Sequence, residues 1–167
     1  MGIALLTLAL VGTLTFLGTI VSGYFIGSGG ITVWRHVGLA FATTIILVMA
    51  HSFIMFFLIA TGVELKDMEK ERGWGDSFRR RTIAMKGRVF GVMTLALLLV
   101  MAHFVTGAAA HTRAIPMWMH HTMAWVTFAT CVLALWREYL VLGDNNRLID
   151  EAAQRRRGVA PITPAES

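Results

Sequence analysis

Charge is scarce in this chain. Only 15% of its 167 residues are Asp, Glu, Lys or Arg, against 56% hydrophobic, where a soluble domain carries about 25% charge. That leaves too little polar surface to coat a water-soluble globule. Cysteine is nearly absent too. A single Cys131 excludes an internal disulfide, and in its apolar run it reads as a small hydrophobe inside a helix. Several catalytic signatures are missing: no His-Glu-x-x-His pair, no Gly-rich phosphate loop and no Ser/His/Asp set that can be placed. No Asp, Glu, Lys or Arg interrupts the long apolar runs described below, which argues against an ion pump or a charge-relay transporter. The chain is also short for a transporter built from inverted repeats. Neither an internal repeat nor a low-complexity tract stands out.

Four apolar blocks fill most of what is there: residues 3–26, 37–63, 89–110 and 116–136. Each reaches the roughly 20 helical residues that a hydrocarbon core requires. In lipid the backbone must satisfy its own hydrogen bonds, and no block shows the alternation of a membrane barrel, so all four read as helices. The first lacks a basic leader and a small-residue cleavage site, so it reads as a retained span rather than a signal peptide. The expected fold is therefore all-α, an integral membrane four-helix bundle over 1–143, followed by a cytoplasmic C-terminal tail over 144–167.

The net charge of +5 could suggest nucleic acid, but the bases are placed by topology instead. Of the 15 Lys and Arg, all but Arg35 and Arg113 fall between blocks two and three or after block four. Short connections rich in Lys and Arg stay in the cytoplasm. Both termini and the middle loop are thus expected on the cytoplasmic side of an inner membrane, with lipid and other membrane subunits as partners and no nucleic acid. The loop itself reads as a helical hairpin extension: Glu64 to Arg72 continues the second helix, Gly73-Trp74-Gly75 breaks it, and Asp76 or Ser77 caps the next helix. The tail reads as a short amphipathic helix past Gly143, then Arg155 to Arg157, then a patternless stretch from Gly158 to Pro164 expected to be disordered alone. Small residues at four-residue spacing, Gly18 with Ser22, Gly87 with Gly91, and Ala102, Thr106 and Ala110, suggest close helix packing.

The histidines carry the functional signal. There are six, none in the middle loop or the tail. His51 and His103 sit well inside blocks two and three, where an ionisable side chain is costly and points to function. Two neutral imidazoles on adjacent antiparallel helices could clamp one b-type haem iron. They could equally serve as interhelical hydrogen-bond partners or as a proton or metal site. His36, His111, His120 and His121 gather at the outer boundary with Met119 and Met123. Imidazole and thioether together suit copper, and imidazole alone suits a second haem. Half-solvated histidines and gap-filling methionines explain them as well. The function expected is a redox subunit that passes electrons, through quinone or directly, within a larger respiratory or photosynthetic complex, and that reads more as a subunit of an enzyme complex than as an enzyme by itself. A cofactor-free accessory subunit and a copper-binding protein are the alternatives. The architecture is broadly like that of small cytochrome b-type anchor subunits.

Overall fold

A computed structural model describes residues 1–26 and 30–158. Four helices account for nearly all of them: α1 (Gly2–Tyr24), α2 (Val33–Arg72), α3 (Ser77–His111) and α4 (Met117–Arg156). Each is long and apolar enough to cross a bilayer, and the chain is a multi-pass helical membrane protein. Hydroxyl side chains inside the helices bond back to their own turns, as Thr13 does to the Ala9 carbonyl at 2.8 Å and Thr44 to that of Ala40 at 2.8 Å. This is how Thr is tolerated where no water is present. Large side chains such as Phe56, Leu98 and Val105 point outward at more than three-fifths exposure, the reverse of a water-soluble bundle.

α1 packs on α2 and α4, and α3 packs on the same two, so the helices form a square in which α2 and α4 also touch across the diagonal. We call the end that holds Gly2 and Arg156 proximal and the opposite end distal. At the proximal end the three longer helices outrun α1. Gly73 ends α2 in the left-handed conformation, φ 64°, and Gly75 follows at φ 78°, angles that favour glycine. Neither Asp76 nor Ser77 caps α3 with its side chain. The buried carboxylate of Glu69, on the last turns of α2, takes that role instead, accepting from the backbone N–H of Phe78 at 2.6 Å and of Arg79 at 3.0 Å. A carboxylate there meets both the orphan N–H groups and the positive end of the helix dipole. α4 runs unbroken through Gly143, and its last turns brace this hairpin. Arg155 lies 4.9 Å over the Trp74 ring, and Arg81 pairs with Glu151 at 2.6 Å. The patternless stretch after Gly158 and most of the Gly27–Gly30 connection lie outside the described residues.

Of the small residues the spacing suggested, Ser22 and Ala110 are buried and Ser22 and Thr106 meet a neighbouring helix, but the three glycines do not. A Cβ on Gly18, Gly87 or Gly91 would meet nothing within 4 Å. On Gly12 it would come within 2.9 Å of Leu47, and on Gly62 within 2.6 Å of Thr82.

The structure also corrects the absence of a repeat. α1–α2 and α3–α4 are equivalent hairpins at an offset of 84 residues, the separation of Thr61 and Asn145, which touch each other. The offset superposes Ser22 on Thr106, Gly23 on Gly107, Trp34 on Trp118, His36 on His120, Thr43 on Thr127, Ala50 on Ala134 and Leu58 on Leu142. The last three pairs are buried in both halves. α1 and α3 run in the same direction, so the pseudo-twofold axis follows the bundle, between α2 and α4. The repeat is faint in the sequence because lipid-facing positions need only be apolar and drift freely. What the halves share is the sparse set of positions that face inward.

Candidate functional site

His51 and His103 do not share one interhelical space. At 1.5 Å per residue His51 lies about 27 Å along α2 from its distal start, and His103 about 12 Å from the distal end of α3, a difference of roughly 15 Å. Each has its own partner. His51, fully buried, bonds through Nδ1 to Glu138 Oε1 on α4 at 2.5 Å. His103 stacks on His120, ring centroids 4.6 Å apart and planes within 7°, and meets the edge of Phe16 at 5.3 Å. A single iron held by this pair is therefore not the arrangement the fold offers.

Glu138 is the residue the apolar runs concealed. It follows Arg137, just past the fourth block, yet it sits in the bundle core at 0% exposure, beside His51. The signal for it is helical phase: Cys131, Ala134, Glu138, Val141 and Asn145 continue one buried face of α4. The expectation that no acidic side chain enters the bundle's interior fails at this position.

The distal histidines do converge. His36, His103, His111, His120 and His121 all line a cavity of about 750 Å³ between the helices, walled otherwise by apolar side chains such as Phe16, Ile20, Phe104 and Ala124. Met117 lines it; Met119 and Met123 do not. His121 stacks on Tyr24 at 4.8 Å, and the Tyr24 hydroxyl accepts from Trp125 Nε1 at 3.1 Å.

Within this cavity His36 and His120 are twins. The Ser22 hydroxyl lies 2.7 Å from the Thr19 carbonyl and 2.8 Å from His36 Nδ1. When its proton goes to the carbonyl, its oxygen accepts from His36 Nδ1–H and the ring keeps a lone pair on Nε2. The Thr106 hydroxyl donates to the His103 carbonyl at 2.8 Å and faces His120 Nδ1 at a longer 3.5 Å. Thr19 and His103 are themselves equivalent positions. Each twin also lies against a glycine. A Cβ on Gly23 would stand 3.2 Å from His36 Cε1, and one on Gly107 would stand 3.2 Å from His120 Cε1.

No family model, curated protein or solved structure matches this chain.

Its site is accordingly read from its own donors. Among the described residues no three His, Cys, Asp or Glu side chains come together as a metal site. A porphyrin brings its own in-plane nitrogens and needs at most two axial donors. The cavity offers two imidazoles at equivalent positions, His36 and His120, and its volume falls within the range of about 300–1,000 Å³ usual for ligand pockets.

Proposed function

We propose that this protein is a membrane-embedded redox subunit that holds b-type haem in the distal cavity through His36 and His120. The observation that carries this reading is the pair of matching histidines on α2 and α4 in one cavity, each with a hydroxyl beside its Nδ1, Ser22 at 2.8 Å and Thr106 at 3.5 Å. A neutral imidazole fixed as the Nδ1–H tautomer presents its Nε2 lone pair, and a hydrogen bond on the far nitrogen raises ligand basicity. Bound haem supplies one-electron transfer between ferric and ferrous iron. The chain's own residues do the rest. Ser22 and Thr106 hold the two rings in orientation, Gly23 and Gly107 give them room beside the backbone, and Phe16, Ile20 and Phe104 keep water from the site.

Electrons would pass onward to quinone or to neighbouring membrane subunits, so the chain acts as part of a larger respiratory or photosynthetic complex. The bases concentrated at the proximal end favour an inner membrane with both termini in the cytoplasm, which places the haem near the opposite surface. The test is an absorption spectrum of the purified full-length protein. A Soret band that disappears in His36→Ala and in His120→Ala supports the assignment. Its absence from wild-type protein expressed with ample haem rejects it.

A further inference from the structure

The haem site leaves the most deeply buried ionisable pair without a role. His51 and Glu138 are both fully buried and joined through one bond, yet His51 Nε2 and Glu138 Oε2 have no partner. Two turns toward the proximal end, on the same face of α4, the buried Asn145 amide pairs with the Thr61 hydroxyl at 3.0 Å, which also lies 3.0 Å from the Phe57 carbonyl of its own helix. Buried polar atoms are nearly always satisfied. A lock between α2 and α4 needs only the bond already made, whereas an unpartnered atom on each member of the buried pair suits groups that exchange a proton.

The surroundings define how such a proton travels. Toward the distal end the core is closed by Leu47, Ala96, Cys131 and Ala134, each at 0% exposure. Toward the proximal end the core also holds buried Leu58, Val141 and Leu142, but the polar Asn145 and Thr61 interrupt it and lead to Lys86, whose Nζ lies beside Gly62, and to the half-exposed Arg88–Asp144 ion pair. At the level of the pair α4 also carries Arg137 and Tyr139, both turned outward and exposed, with Cys131 two turns distal; α3 has His103 in the distal cluster, and α1 brings no ionisable side chain to this level. In an apolar core the pair is electrically neutral while it holds one proton, on either residue.

The geometry points to a proton-binding site: His51 and Glu138 take up and release one proton through Asn145 and Thr61, in exchange with the proximal face only. In the uptake step a hydronium at that face gives its proton to the pair and becomes water. The pair goes from one proton to two and gains one positive charge, and no electron moves. The site stands independently of the haem reading, since it uses none of the same residues.

Infrared spectroscopy of the full chain in lipid vesicles, stepped in pH and transferred to deuterium oxide, tests this without any cofactor. The expected result is a carboxylic-acid C=O band that grows as pH falls, shifts on deuteration and is missing in Glu138→Gln. Asn145→Leu and Thr61→Val should slow its deuteration by about tenfold, the loss of one hydrogen-bonded step, while Thr127→Val, beyond the apolar layer, should not. If Glu138→Gln fails to assemble, a shift of the same band in His51→Gln supplies the assignment. No acid band at any pH, a band insensitive to pH, or unchanged deuteration in both proximal variants overturns the proposal and leaves a static lock.

Discussion

The two hairpins of this bundle agree at one end and disagree at the other. Distally, α1–α2 and α3–α4 repeat the same hydroxyl, glycine, tryptophan and histidine at matched positions. Proximally, His51 in the first half corresponds to Leu135 in the second, Glu138 takes the position of Ile54, and Glu69 that of Ala153. A symmetric ligand set suits one symmetric, flat group on the axis. A proton-holding pair needs two different residues, so it can exist only where the halves have diverged.

Making the proximal halves alike should cost the most. Glu138→Ile installs the residue of the first half and leaves a buried neutral imidazole with its Nδ1–H unpaired, at about 1–3 kcal/mol. The double change His51→Leu with Glu138→Ile removes both partners and should return to within about 1 kcal/mol of the wild type, because apolar replacements of a buried pair are often neutral. Denaturation in mixed micelles measures both. Equal losses in the single and double variants would show that the pair's bond is not what the single change removes. A smaller effect is expected at the turn. Glu69→Ala, again the residue of the other half, deletes the cap on Phe78 and Arg79 and should cost about 1–2 kcal/mol. It should leave the distal spectrum untouched. Smallest is Arg81→Ala. The Arg81–Glu151 pair is nearly half exposed on both sides, and such pairs contribute under about 1 kcal/mol. A shift comparable to that of Glu69→Ala would show that the proximal brace holds the hairpin more firmly than its exposure suggests.

Much of this was legible beforehand. Apolar runs near membrane length gave four helices, and Gly73-Trp74-Gly75 gave the break between α2 and α3. The distal gathering of His36, His111, His120 and His121 followed from depth alone. Three things were not. Glu138 was hidden because a hydropathy window ends a span at the first charges, whereas helical phase carries the buried face past them. His51 and His103 read as a pair because both sit well inside apolar blocks on adjacent helices; α2 begins at Val33, four residues before its apolar block, which puts His51 deeper from the distal surface than the block suggests. The repeat was hidden because its matching residues are few and separated by lipid-facing positions that carry no information. Once the offset is known, Trp34-x-His36 and Trp118-x-His120 show it plainly.

The central claim is that two equivalent imidazoles hold one iron. Electron paramagnetic resonance of the ferric, haem-loaded protein tests it most directly. Two axial histidines predict a low-spin signal in the wild type, converted to high spin to the same extent in His36→Ala and in His120→Ala, and retained in His51→Ala. A low-spin signal that survives either distal substitution, or that is lost with His51, would contradict it.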